Sequence, residues 1–136
     1  MNRIYEALAH ATVFAPQSVA ASTAKTSDYV DVSAVEELQF LLSTAALGAG
    51  KKVKATLMAA DSADGDGAVA VGEAEFTDPV GTAPTLAVVS YRPIAAHGRY
   101  VAVKFQHDAA AAVVCGATVS TRVGCLPAAN SWKLVL

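Results

Sequence analysis

The sequence predicts an all-β protein: an antiparallel β-sandwich of about seven to eight strands, preceded by a short helix and an extended arm. Three observations carry this. From Asp28 onward apolar residues recur with a period of two, not with the period of a helix. Breaks rich in Gly, Asp and Pro ("GAGKK", "DSADGDG", "TDPVGTAP", "RPIAAHG", "FQHDAA") separate the alternating runs. Most runs are apolar on one side and mixed on the other, as in sheets with one face on a core and one toward solvent.

The organisation divides at about residue 27, into a helix and arm over 1–27 and the sandwich over 28–136. In "RIYEALAHA", Ile4, Ala7, Leu8 and Ala11 keep to one helical face, so a short amphipathic helix is expected. "APQSVAASTAKTSD" has no period, one proline and many small polar residues, which reads as a linker or arm. Two outcomes are open for this terminus: a loosely docked end, or an arm that sets Ile4, Tyr5, Leu8 and Phe14 against a neighbouring subunit. A lone amphipathic turn is marginal unless something packs on it.

The strands follow in order. "DYVDVS" sends Val30 and Val32 one way, and Tyr29 and Asp31 the other. "ELQFLLS" groups Leu38, Phe40 and Leu42 against Glu37, Gln39 and Leu41. "KVKATLMA" groups Val53, Ala55 and Leu57 against Lys52, Lys54 and Thr56. Weaker strands are expected near Ala74–Phe76 and Thr85–Tyr91. "RYVAVKFQ" points Val101, Val103 and Phe105 inward, with Tyr100, Lys104 and Gln106 outward. "AVVCGATVSTRVG" points Val113, Cys115, Ala117, Val119 and Val123 inward, with Thr118, Ser120 and Arg122 opposite. "SWKLVL" can add a last strand, while "SAVEEL" and the alanine run 109–112 can each make one helical turn.

Composition excludes several classes of function. The chain has 136 residues and is 54% hydrophobic, but 30 of them are alanines, so the core leans on 18 valines, 10 leucines and a few aromatics. Ten basic against twelve acidic side chains leave no basic surface beyond Lys51, Lys52 and Lys54, which argues against nucleic acid as a partner. No apolar run is long enough to span a bilayer, and the N-terminus, with Glu6 and His10 in its apolar stretch, is a poor secretory signal. Synthesis in a cytosol is the expectation. Cys115 and Cys125 lack a second Cys or His pair at zinc spacing, so two free thiols are expected, Cys115 buried. A disulfide between them is the alternative if the protein matures outside a cell.

Candidates for chemistry are few. In "SADGDGAVAVGE", Asp64, Asp66 and Glu73 fall at the third, fifth and twelfth places of a calcium loop, but Ser62 holds the first and the flanks read as strands. A polar hairpin turn whose Asp-Gly steps supply positive φ is the preferred reading, with calcium on Asp64, Asp66 and Glu73 the alternative. His97 and His107 lie at opposite ends of one strand, too far apart to share a metal, and read as solvated loop residues. No nucleophile elbow and no phosphate cradle occurs, so no catalytic residue and no cofactor is expected, and the chain reads as a non-enzyme. Outward strand positions nevertheless carry Ala102, Val114 and Leu41, and the chain closes on "KLVL". Such apolar positions fit either a second buried face or a contact surface in an assembly.

Taken in order, Tyr29–Val32, Leu38–Leu42, Val53–Gly65, Arg99–Phe105 and Val113–Val119 resemble a group of small virion proteins. These are encoded among the head and neck genes of tailed bacteriophages. The resemblance spans roughly Ala15 to Val123 and is one of strands and turns. It implies a β-sandwich structural component that decorates or cements a capsid, or else forms part of the neck or tail. The sequence departs from the group's pattern in a longer "DSADGDGAVAVGE" turn and an added "CLPAANSWKLVL". The resulting expectation is a capsid decoration protein in the virion, with the major capsid protein as partner and some self-association. The alternatives are a head–tail connector or tail component, and a surface module binding sugar or receptor. For the last, only Trp132 and Tyr91 offer stacking aromatics.

Overall fold

The structure is a computed structural model and describes residues 3–124, 128–130 and 132–136. Among these residues, after a single helical turn, α1 (Ile4–Ala7), nine strands follow: β1 (Leu8–Val19), β2 (Lys25–Thr26), β3 (Val30–Asp31), β4 (Val35–Thr44), β5 (Lys52–Ala60), β6 (Val69–Thr77), β7 (Thr85–Tyr91), β8 (Tyr100–His107) and β9 (Val113–Val123). All pairings are antiparallel, in two sheets ordered β1-β9-β4-β7 and β2-β8-β5-β6, with β3 also on β8. The expected β-sandwich is therefore the observed fold.

β2 and β3 act as one interrupted strand along β8. Ser27, between them, donates its N–H to the Val103 carbonyl (2.9 Å) and accepts the Val103 N–H on its Oγ (3.0 Å). Counted this way, the first strand pairs with the last (β1·β9), the second with the seventh, the third with the sixth (β4·β7) and the fourth with the fifth (β5·β6). Nested pairing of this kind is one long ribbon. Rolling it up brings β9 against β4 and β8 against β5, which makes a jelly roll.

The alternating faces found in the sequence build the core. Leu38, Phe40 and Leu42 of one sheet meet Val53, Ala55, Leu57, Val101, Val103 and Phe105 of the other, all buried. Val113, Cys115, Ala117 and Val119 complete it. Strand neighbours on the opposite face, such as Glu37, Lys54, Lys104 and Thr118, reach solvent.

Several expectations are corrected. Residues 8–19 are not helix and arm but the edge strand β1, with Val13 and Val19 in the core. A nine-residue helix is marginal alone, whereas β9 offers a full ladder to pair with. The period is hidden because the register slips between Thr12 and Phe14 and again between Phe14 and Gln17, around Pro16. Proline is tolerated there because the strand is an edge and bulged. "SAVEEL" holds a turn at Ser33–Ala34, closed by Ser33 N–H on Asp31 Oδ1 (2.9 Å), and is strand from Val35. The alanine run 109–112 is loop, and Trp132–Leu136 form no strand. Ala102 points outward opposite Met58 yet is fully buried, its short side chain hidden by its neighbours.

His107 is also corrected. It continues the inward phase of Val101, Val103 and Phe105 and is 1% exposed. Its Nδ1 accepts the Ala109 N–H (3.2 Å), so the ring carries its proton on Nε2 and donates to the Val19 carbonyl (2.7 Å). This bond ties β8 to the end of β1 across the two sheets.

Candidate contact surfaces

The two lateral sides of the sandwich differ. On the side of β1 and β2, Phe14 packs edge-on against Phe105 with centroids 5.0 Å apart. Asp28 N–H donates to the Val13 carbonyl (2.8 Å), and His107 to Val19. That side is closed. On the side of β6 and β7 the sheets part, leaving a groove of about 250 Å³ lined by Ala55, Leu57, Gly72, Ala74, Phe76 and Tyr91. The strand register places Phe76, Ala74 and Gly72 opposite the inward residues Val53, Ala55 and Leu57, so the inner side of β6 faces the groove. Two of its three residues there are small, and Val71 and Val89 beside them pack on the core.

The two outer faces differ as well. On β2-β8-β5-β6 the outward residues include Lys52, Lys54, Lys104, Glu73 and Glu75. Lys54 pairs with Glu73 (3.3 Å) and Lys52 with Glu75 (3.6 Å). Exposed pairs like these add little stability but keep the face solvated. On β1-β9-β4-β7 the register aligns Thr12, Thr118, Leu41 and Val88 in one row across the sheet. Gly116, Ser43 and Leu86 form the next, with Pro16 lying on Gly116. Ser18 and Val114 follow. No charged side chain occurs in these rows, and Leu86, Val88 and Val114 are exposed. Charge returns only at the far end, where Glu37 lies opposite Arg122 and binds Arg92 (3.1 Å).

The remaining candidates are placed as follows. Asp64 accepts the Ser62 hydroxyl (2.6 Å) and the Asp66 N–H (2.9 Å), which hold its carboxyl below the usual range. Gly65 and Gly67 take positive φ, as expected of Asp-Gly steps in a turn. Glu73 lies on β6 and is paired with Lys54, so the three calcium candidates are not brought together. Among the described residues no group of three or more His, Cys, Asp or Glu side chains is arranged to hold a metal. His97 accepts or donates at Nδ1 to the Tyr91 hydroxyl (3.0 Å), which also accepts the Ile94 N–H (3.2 Å). Tyr91 is thereby buried and unavailable for stacking, and only Trp132 of the two candidate aromatics is exposed.

Of the terminal contact candidates, Phe14 is turned inward on Phe105, and Leu8 is half-buried opposite Arg122. Tyr5 lies beneath the Lys133 ammonium (5.5 Å), and Ile4 is exposed. Cys115 is buried with its thiol pKa raised by desolvation; Cys125, and with it the disulfide question, lies outside the described residues.

A cleft of about 470 Å³ opens at one end of the sandwich, between Val32, Ser33, Val35, Asp61, Ile94 and Gly98. Arg99 at its rim is held by Asp31 through Nε–Oδ1 (3.1 Å) and Nη2–Oδ2 (2.7 Å). The guanidinium and the Ser33 N–H hold the Asp31 carboxyl well below the usual carboxylate range. Elsewhere, His10 Nδ1 meets Ser120 Oγ (2.8 Å) on the open sheet face.

No protein-family model matches the sequence, and no curated protein does. Among solved structures the chain is similar to the PBSX exported protein XepA, with a TM-score of 0.61 at 9% identity, over 100% of this chain and 44% of that one. It is also similar to a chain in the structure of infectious bursal disease virus Gx strain, with a TM-score of 0.53 at 11% identity, over 85% of this chain and 32% of that one. The chain thus spans less than half the length of either. What is shared at these identities is the fold. The class defined is a jelly-roll β-sandwich, present also in an exported protein and in a virus structure.

Proposed function

We propose that this chain is a capsid decoration (cement) protein of a tailed bacteriophage, seated on the assembled major capsid shell through the outer face of β1-β9-β4-β7. The observation that carries the reading is the contrast between the two outer faces. One is laced with ion pairs; the other presents Leu41, Leu86, Val88 and Val114 among threonines, serines and glycine, with its charge confined to Glu37, Arg92 and Arg122 at one end. Sheet rows without charge lose little by desolvation and gain by burying apolar area, which suits a standing contact. The jelly-roll fold and the resemblance of residues 15–123 to phage virion components support the same reading.

The role is structural and non-catalytic. A protein that binds only the assembled shell stabilises it by mass action, and many copies on a symmetric lattice need only modest individual contacts. A neck or tail ring would use the same face against fewer partners, and copy number separates the two.

The test is cosedimentation with shells stripped of the protein. Burying one Leu or Val contributes about 1.5–3 kcal/mol, so Leu86→Asp with Val88→Asp weakens binding by at least ~100-fold. The Lys52→Glu control on the other sheet binds as wild type. Equal binding by the Leu86/Val88 variant overturns the assignment of the face.

A further inference from the structure

We infer that the open groove beside β6 receives the segment Trp132–Leu136 of a second copy of this chain, added as an extra strand along the free edge of β6. Each half of this contact is visible. Among the described residues β6 pairs only with β5, so along its other edge the backbone groups are open to another strand. Its inner side offers Gly72, Ala74 and Phe76, of which Gly72 and Ala74 fill little of the groove above the buried Ala55, Leu57 and Tyr91. Trp132, Leu134 and Leu136 are 100%, 83% and 97% exposed, large apolar side chains turned to solvent, although Arg3 Nη1 donates to the Leu136 carbonyl (2.9 Å) and Lys133 lies over Tyr5, contacts the segment exchanges for the groove.

The two halves match in phase and size. In an extended segment Trp132, Leu134 and Leu136 share one face, while Lys133 and Val135 share the other. Set beside β6, the large trio lies over the small Gly72 and Ala74, where space exists. Lys133 then falls on the outward side with Glu73 and Glu75. Five residues of segment match the five from Gly72 to Phe76, about 17 Å of strand.

A second molecule is the occupant because of where the segment begins. Asn130 is held against β1, its amide donating to the Tyr5 (2.7 Å) and Leu8 (2.8 Å) carbonyls and its Oδ1 accepting the His10 N–H (3.0 Å). From β1 the sheet runs three strand spacings, roughly 14 Å, to β7. Crossing that distance uses most of the reach of residues 131–136, so too little remains to lie along β6 of the same molecule. The contact is heterologous: every copy offers one segment and one groove. It adjoins the shell-binding face at Val88, which also lines the groove, so its variants are placed away from that face.

Sedimentation velocity on the full chain and two variants tests this. Leu134→Asp with Leu136→Asp disables the segment, and Ala74→Trp plugs the groove; all three positions are exposed, and unchanged thermal midpoints confirm folding. Wild type is expected to grow beyond its 13.9 kDa monomer as concentration rises, and each variant alone to remain monomeric. An equimolar mixture of the two variants restores one good segment facing one good groove. It is expected to stop at a dimer, twice the monomer mass. Wild type that stays monomeric at millimolar concentration, variants that associate like wild type, or a mixture without dimer each overturn the inference.

Discussion

Replacing His107 with leucine tests the claim that this buried histidine closes one side of the sandwich. The change keeps a side chain of moderate size and leaves the apolar packing largely filled. It removes the Nε2–H bond to the Val19 carbonyl (2.7 Å) and the Nδ1 acceptor of the Ala109 N–H (3.2 Å). Val19 is fully buried and Ala109 nearly so, so water has no easy route to either orphaned group. Each unsatisfied buried group costs about 1–3 kcal/mol. Greater apolar burial by leucine offsets part of this, for a net loss of roughly 2–5 kcal/mol. Against a total stability of about 5–15 kcal/mol that is a large fraction. In a domain of this size it lowers the thermal midpoint by roughly 6–20 °C. His107→Gln retains an N–H donor toward Val19 and is expected to lose less than half as much. Urea titration followed by circular dichroism measures both. A leucine variant within about 0.5 kcal/mol of wild type refutes the reasoning, because that is the scale of a neutral surface change.

Two further predictions concern the turn between β6 and β7. Gly81 has φ +77°, and a Cβ there would collide with the backbone of Gly48 and Ala49; Gly81→Ala is expected to destabilise by about 2–4 kcal/mol in the same titration. Asp78 is buried, yet its carboxylate accepts the N–H groups of Gly81 (2.8 Å), Leu47 (3.1 Å) and Val80 (3.3 Å), and these bonds outweigh desolvation to lower its pKa. A depressed folded pKa gives stability that is present above the ordinary carboxylate range, near pH 4, and is lost as pH falls through the folded value. Asp78→Asn is therefore expected to flatten the acid side of the stability profile, and the urea midpoints at pH 7 and pH 3 measure it.

Much of the fold was legible because three central strands obey a strict period of two. Leu38, Phe40 and Leu42, with Val53, Ala55 and Leu57 and with Val101, Val103 and Phe105, all lie where alternation puts them. The signal for His107 was present too: continuing the phase of Phe105 by two residues leads inward. Its polarity and its position beside Asp108 outweighed that phase in the sequence reading. β1 was not legible, since two slips in register and Pro16 destroy its period and its ladder comes from residues about a hundred positions away. The uncharged sheet face was legible only in fragments. Leu41 and Val114 stand out singly, but the rows linking Thr12, Thr118, Leu41 and Val88 exist only once four strands are aligned. The groove required still more, because it depends on which two strands end the two sheets.

The central claim is that the chain is a repeated component of an assembled shell. Quantitative mass spectrometry of purified particles, giving copies of this chain per major capsid subunit, tests it most directly. The account predicts a ratio near one or a simple fraction of one. Absence from the particles, or a number fitting a single ring at one vertex, contradicts it.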